Sequence, residues 1–544
     1  MKRCFAWTLL LFLSVLAASA VTVSGEEDTA SGDDPLARYR VPLDLGPESD
    51  TLELSLEDAI NLAIRNNLGV EGYRYGLLAQ RESVIEKDAA FDHVFFASIP
   101  FTRKKTISSS SGTDTYSSNF SYSFGFRKRF RTGTFYSAEI TDDYTKLNMP
   151  SPGNRATFML TLAHPLQKGF GRTINTAPLE IERHKLEMAR LDVSDQLNSL
   201  IYDITSAYWN LALARDKLEV TRQARQLAIE LYQTTENLVE SGTETRLALL
   251  RAESGVASSQ DGVHLAQLAE RSAQAGLKAL LNLNRDGSIP DTRIELSDKP
   301  ARSIIDCEFD ECTNFALTRR PDLRKARIGL ALNKIAMDVA SNQLKPKVDL
   351  SAAVALTGMA YDYGDHWEGL EGETTTPFPS AFNIEWPLGN RAAIAGLRRA
   401  EHEFNRTKTQ VLAGEQGVIL QIRNAIRKVR TNYRRIASAQ IAAELAERSL
   451  REEEARYRVG RSTPIEVLRF QTDLTNAQNT LLQAVIDYNL AIAELNKARS
   501  SNLLMNRIEL ETVLEPTLEL PEWDREDSTI PLMKYPANPE TEQR

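Results

Sequence analysis

Cysteine is scarce. The chain has three, and Cys4 lies ahead of the first apolar run, where it cannot be the lipid-bearing first residue of a mature lipoprotein. Cys307 and Cys312 remain, too few for a disulfide framework. Five apart at a helix start, they read as two small core residues without a local bridge. The six histidines (His93, His164, His184, His264, His366, His402) are scattered, with no pair at metal-ligand spacing. No phosphate-binding glycine loop and no nucleophile motif is present. The net charge is −9, and basic residues alternate with acidic ones along helical stretches, as on solvated faces; no nucleic-acid footprint is expected. No catalytic residue, metal or cofactor is assigned, and enzyme chemistry has no home in this pattern. Beyond the N-terminal segment no run of about 18 apolar residues exists, so no helix is expected to span a membrane.

Proline is absent over long distances. None lies between Pro178 and Pro290, and residues 392–500 contain only Pro464. These stretches predict two helical hairpins. In the first, a helix over 178–241 turns at Gly242-Thr243-Glu244-Thr245 and returns over 246–283. In the second, a helix to about Val459 turns at Gly460-Arg461-Ser462-Thr463-Pro464 and runs back. At 1.5 Å per residue the longer arms reach about 95–100 Å. Arms of that length cannot bury their apolar stripes in one compact core and need partner helices along their whole length.

The N-terminus reads as a secretory signal over residues 1–20: basic Lys2 and Arg3, an apolar core over 5–17, and Ala18-Ser19-Ala20 for cleavage. Residues 21–50 read as a flexible lead-in. Ser55 and Asp58 form a capping signature that opens a helix running to about Ala90. The period then changes from helical to alternating. Phe95/Ala97/Ile99/Phe101, Phe120/Tyr122/Phe124/Phe126, Tyr136/Ala138/Ile140 and Phe158/Leu160/Leu162 each alternate with small or polar residues. These are four strands within 94–166, with Arg131-Thr132-Gly133 as a hairpin turn. Such strands fit a transmembrane β-barrel and, on pattern alone, a soluble β-domain equally.

After a linker over 285–306 the plan repeats. Residues 308–317 echo 55–64 at an offset of 253, Trp386-Pro387-Leu388 echoes His164-Pro165-Leu166 at 222, and Gly460, Thr463 and Arg469 echo Gly242, Thr245 and Arg251 at 218. Two copies in the same order indicate duplication: a first repeat over 51–284 and a second over 307–504, whose strands lie within 347–388. The fall from 253 to 222 assigns 31 additional residues to the first repeat's β-segment, roughly one hairpin at about 118–143. A tail over 505–544 is expected to pack partly against the helices beyond Arg507 and then fray. The acidic, aromatic loop 361–373 reads as outward-facing, either solvated or a binding site.

With LSLEDAINLAIRNN, RRPDLRKA, the Pro-Leu corners and ARYRVGRSTPIEVLRFQTDLTNAQNTLLQAVIDYNLAIAEL in view, the chain resembles the TolC-like outer membrane efflux proteins over about residues 51–504. The resemblance implies an α+β membrane protein built from duplicated helix–strand–strand–helix repeats. Three chains would share one β-barrel in the outer membrane, with four strands per chain as the usual number, continuing into a long periplasmic α-helical barrel. The extra hairpin would either cap that barrel or enlarge it. The implied function is a passive exit duct of a tripartite efflux or type I secretion system. Its partners would be outer membrane lipid, a periplasmic adaptor protein and an inner-membrane transporter of RND, ABC or MFS type. The implied adaptor-docking tips lie at 240–245 and 459–464, with Gly242, Thr243, Gly460, Arg461, Ser462 and Thr463. The implied pore aperture falls on Glu466 and Arg469, with Arg251 the repeat-equivalent of Arg469. Glu466 keeps the family's acidic character and Arg469 reverses it, and Ser462 stands where some members carry an arginine. Glu466 and Arg469 are one turn apart, so they form either a less acidic constriction or an ordinary surface pair. The competing reading is a periplasmic helical scaffold that bridges envelope layers without conducting.

Overall fold

A computed structural model describes residues 51–107, 114–147, 153–282, 293–304, 307–362, 365–368, 370, 378–510 and 513. The expected signal peptide, the segment over 21–50 and the tail beyond Val513 lie outside the described residues. Two compact units divide the chain. The smaller contributes only Thr51, Leu52 and Arg293 to the described residues, all in strands; the larger, residues 53–290 and 294–544, holds every helix described below.

The first repeat runs β1 (Thr51–Leu54), α1 (Leu56–Asn66), α2 (Leu68–Asp88), β2 (Val94–Ser98), β3 (Phe101–Ile107), β4 (Asp114–Arg129), β5 (Phe135–Leu147), β6 (Asn154–Pro165), α3 (Ala177–Glu240) and α4 (Arg246–Leu281). After β7 (Arg293–Leu296), the second runs α5 (Phe309–Arg319), α6 (Pro321–Asn342), β8 (Lys347–Ala360), β9 (Ser380–Glu385), α7 (Arg391–Arg458) and α8 (Pro464–Arg499). The segment expected as a bare linker contains β7, which pairs with β1. Fully buried Tyr208 on α3 donates its hydroxyl to the Leu54 carbonyl at 3.1 Å.

The single helix expected from Ser55 to about Ala90 is two. Ser55 caps α1 as its sequence predicts, accepting from the Asp58 amide at 3.1 Å. The helix then breaks at Asn67, whose backbone is extended (φ −72°, ψ 118°) and whose side-chain oxygen accepts from the Gly69 and Val70 amides at 2.9 and 3.2 Å. A side chain that can cap competes with helix continuation. The second repeat breaks at Arg320, 253 residues on, because Pro321 disfavours helical geometry in the residue before it.

These breaks are joints. Asn282, just past α4, donates to the Asn66 carbonyl at 2.8 Å. Arg320 reaches the Ala498 carbonyl near the end of α8 at 3.1 Å and Gln421 on α7 at 2.7 Å. The 64-residue α3 is therefore flanked along its length by α4 and α2, and the 68-residue α7 by α8 and α6. Burial follows this contact. Leu197, Ile201, Ile204 and Leu211 are sealed on α3, and Val418, Ile422, Ile426 and Val429 pack against Val485, Tyr488 and Leu495 on the second repeat's side. Each such side chain contributes about 1.5–3 kcal/mol relative to exposure.

Cys307 and Cys312 correct the expectation of two unbridged residues: they form a disulfide, with Cα atoms 6.4 Å apart. Glu308 is the extended N-cap of α5, so Cys307 precedes the cap and Cys312 is the fourth helical residue. Those two positions meet in a hydrophobic staple. Arg499 at the end of α8 covers both sulfurs, with its Nη1 3.6 and 3.4 Å away.

The other described strands form one antiparallel sheet in the order β2-β4-β5-β6-β8-β9, with β3 also on β4. The first expected strand is interrupted at Pro100, which lacks an amide hydrogen. The ladder nevertheless keeps its register across the gap: Ser98 lies opposite Ser123 and Phe101 opposite Phe120. The Arg131–Gly133 turn is as predicted, with Gly133 at φ 96° and its amide donating to the Phe130 carbonyl at 2.9 Å. The loop expected over 361–373 is not wholly solvated. Its turn of helix, Asp365–Glu368, folds onto the sheet, with His366 Nε2 3.2 Å from Asp142 and both side chains buried. Tyr122 donates to the other oxygen of Asp142 at 2.6 Å.

Candidate functional site at the helical tips

Both hairpins reverse through a glycine with positive φ, Gly242 at 75° and Gly460 at 72°. An L side chain is strained there. In the first tip the Thr243 amide and hydroxyl both donate to the Leu238 carbonyl at 2.9 Å, and Thr245 caps α4 by accepting from the Ala248 amide at 3.2 Å. In the second tip the Gly460 amide donates to Tyr457 and the Arg461 amide to Arg456, both at 2.9 Å. Thr463 precedes Pro464, whose missing amide hydrogen costs nothing at a helix start.

Glu453 is a residue that sequence reasoning missed. Its side chain is 8% exposed, pairs with Arg456 at 3.0 Å and accepts a short hydrogen bond from the Ser462 hydroxyl. Ser462 therefore clamps its own turn through a buried carboxylate. Glu453 lies in the run Glu452-Glu453-Glu454, where nothing in composition distinguishes the inward member from its neighbours.

The two hairpins are packed together just inside the tips. Leu231 of α3 joins Leu450, Tyr457, Val467 and Leu474 in one buried cluster. Thr235 and Tyr457 share a buried hydroxyl–hydroxyl hydrogen bond of 2.9 Å, and burial pushes the Tyr457 phenol above its ordinary value. Gln471 donates to the Leu227 carbonyl at 3.2 Å.

Glu466 and Arg469 meet at 3.2 Å, one turn apart on α8, with Arg469 also over the Phe470 ring at 5.2 Å. The pair is well exposed and contributes little to stability. Arg251 is exposed on α4 and makes no ion pair with any described residue. Gly242, Thr243, Gly460, Arg461 and Thr463 lie at the two turns, and exposed aliphatic side chains surround them: Leu247, Leu250, Val459 and Ile465. No group of acidic, histidine or cysteine side chains among the described residues could hold a metal ion.

The family model described as "Outer membrane efflux protein" matches residues 137–283 and 313–499, more than half of the chain. "Nodulation protein T" of Rhizobium leguminosarum bv. trifolii is 24% identical over 331 residues, 60% of this chain and 66% of that protein. "Outer membrane protein TolC" of Vibrio cholerae is 22% identical over 340 residues, 59% of this chain and 72% of that one. The solved outer-membrane channel OprN superposes with a TM-score of 0.63 at 18% identity, covering 82% of this chain and 89% of its own. Taken with the duplicated hairpins and the aromatic-faced sheet, these matches place the chain in the outer membrane efflux protein family, with a TolC-like fold, a place in the cell outer membrane and a helical extension into the periplasm.

Proposed function

We propose that three copies of this chain form a passive export duct whose barrel crosses the outer membrane and whose helices span the periplasm. The open edge of the sheet carries the reading. Among the described residues β9 pairs only with β8, and β2 and β3 only with β4. An edge with unpaired backbone groups is intolerable in lipid and is removed only by closure with further strands. The apolar stripes left open along the helices fit the same assembly: Leu265 and Leu268 on α4, and Leu412, Leu420, Ile441 and Leu445 on α7, are all more than half exposed. In a tube, neighbouring chains cover such stripes.

In this assembly the tips at Gly242–Thr243 and Gly460–Thr463 face the periplasmic adaptor, which couples the duct to an inner-membrane transporter of RND, ABC or MFS type. Leu247, Leu250, Val459 and Ile465 supply apolar contact there. Glu466, Arg469 and Arg251 line the constriction just inside. Each chain gives it one negative and two positive side chains, and Glu466 is already paired with Arg469. The ring is therefore net positive and favours anions.

The test is single-channel conductance in planar bilayers, wild type beside Arg251→Ala/Arg469→Ala. The expected result is discrete steps whose ion preference shifts from anions towards cations in the variant, where three Glu466 carboxylates remain alone. Steps unchanged by the substitutions place the aperture elsewhere. A protein that stays in solution without detergent and never inserts supports the non-conducting scaffold instead.

A further inference from the structure

Strands β4 and β5 have no counterpart among the described residues of the second repeat. β8 begins 253 residues after β2, and β9 spans positions 222 residues after part of β6, so the two strands of the second repeat map onto β2 and β6. Residues 114–147 are inserted between these two. Their place in the sheet is definite. β4 occupies the edge of β2–β3, with Val94 opposite Arg127 and Phe101 opposite Phe120. β5 occupies the edge of β6, with Phe135 opposite Ala163 and Tyr144 opposite Asn154. The inserted hairpin is thus hydrogen-bonded on both sides, and the described strands it separates are not paired with each other. A cap folded over the rim would leave β2 beside β6.

The side-chain alternation leads to the same position. One face of the sheet carries, strand by strand, Phe95, Phe126, Ala138, Leu160 and Val354, and beside that row Phe124, Ile140, Phe158 and Leu356. The opposite face carries Ser123, Thr141, Thr157 and Thr357 in one row and Arg127, Ser137, Thr161 and Ala353 in another. The inserted strands continue the apolar and polar faces of their neighbours in phase. A one-residue slip would have reversed both. Gly125 sits on the polar face, where the Phe96 ring lies over it; a Cβ there would come within 2.9 Å of that ring.

We infer that residues 114–147 are barrel wall, so that each chain contributes six strand runs, β2–β3 counting as one, and three chains close an eighteen-stranded barrel. This rests on the trimeric duct proposed above. Barrel diameter grows roughly in proportion to strand number, so the bore is about 1.5 times that of a barrel with four strands per chain, and the open cross-section about twice as large. The inward face is hydroxyl-rich and charged, which suits hydrated solutes too wide for the narrower barrel.

The experiment compares detergent-purified full chain with a variant in which Ile107 is joined to Asn154 through an Asn-Gly turn, both viewed by single-particle imaging down the barrel axis. The expected diameter ratio is about 1.5; equal diameters overturn the inference. Should the shortened chain fail to assemble, Ser137→Cys/Thr161→Cys in the otherwise intact protein decides. These residues lie directly opposite on β5 and β6. A short bis-methanethiosulfonate, which forms a disulfide with each cysteine and releases sulfinate, joins them in native membranes if the hairpin is wall, and no joining overturns it. If the full chain forms no trimer, the duct reading fails; the eighteen-stranded barrel fails with it, and the same cross-link then reports hairpin placement separately.

Discussion

Arg320 offers the sharpest test of how the helices are held. Its Nη1 donates to the Ala498 carbonyl and to Gln421, while Nε and Nη2 grip Asp322 at 3.0 and 2.6 Å. Its side chain is 15% exposed. Burial alone would raise the Asp322 carboxyl, yet the bonds and charge of Arg320, with the Leu323 amide and Lys325, bring it below the ordinary carboxylate value. Asp322 is 45% exposed, so the ion pair itself is discounted for solvent screening. What remains is a pair of charge-assisted bonds to neutral acceptors, one at the end of α8, together about 2–3 kcal/mol. Arg320→Ala should therefore raise local opening at the joint about 30- to 150-fold. The assay is native-state hydrogen exchange at the Arg324, Ser500 and Ser501 amides, which bond within the two helix ends. Arg320→Lys keeps the charge without the fork and should recover less than half of the loss. Asn67→Ala, the corresponding change in the first repeat, removes a cap and a long, uncharged 3.5 Å bond to the Leu280 carbonyl, and should cost about 1 kcal/mol, near fivefold. Exchange at these amides unaltered by Arg320→Ala would refute the joint as a locked contact.

Two further outcomes follow from neighbouring groups. Cys307 and Cys312 should resist alkylation in denaturant until reduced, and reduction should destabilise the start of α5 by about 2 kcal/mol, read as faster proteolysis there. Lys325 bridges Asp192 and Asp195 at 2.7 and 3.3 Å. Burial lowers its pKa, but the two carboxylates outweigh burial and hold it above the ordinary lysine value. A raised folded pKa means the stabilisation is complete below about pH 10.4 and is lost as pH climbs through the folded value. The stability gap between wild type and Lys325→Met should thus be constant from about pH 6 to 10 and shrink above that in thermal melts.

Much of this architecture was legible in the chain. The absence of proline marked the four hairpin arms almost to the residue, and Gly242 and Gly460 marked their turns, because backbone geometry is a local property. The alternation of Phe120, Tyr122, Phe124 and Phe126 identified the strands for the same reason. The offset between repeats assigned roughly one hairpin of additional residues to the first β-segment but gave it no neighbours, since strand order depends on long-range pairing. Asn67 was passed over because capping and mid-helix asparagine look alike in sequence. Glu453 was passed over because burial of one acid in a run of three depends on the side chains of the turn it faces. The disulfide was missed because spacing was judged along the helix, whereas Cys307 lies before its cap.

The placement of each joint beside an unbroken helix has a mechanical meaning. At Asn67 the seam between α4 and α2 is bridged by unbroken α3, and at Arg320 the seam between α8 and α6 is bridged by unbroken α7. Carpenters splice beams this way, so that a continuous timber always crosses the cut. Bending or axial load arriving at a tip passes the splice through the hydrogen-bond ladder of a long helix, not through a side-chain contact. The short members can then tilt or shift by a fraction of a turn while the column keeps its length. Force applied at the tips would accordingly reach the sheet as displacement of α3 and α7, with the seams as the places that yield first.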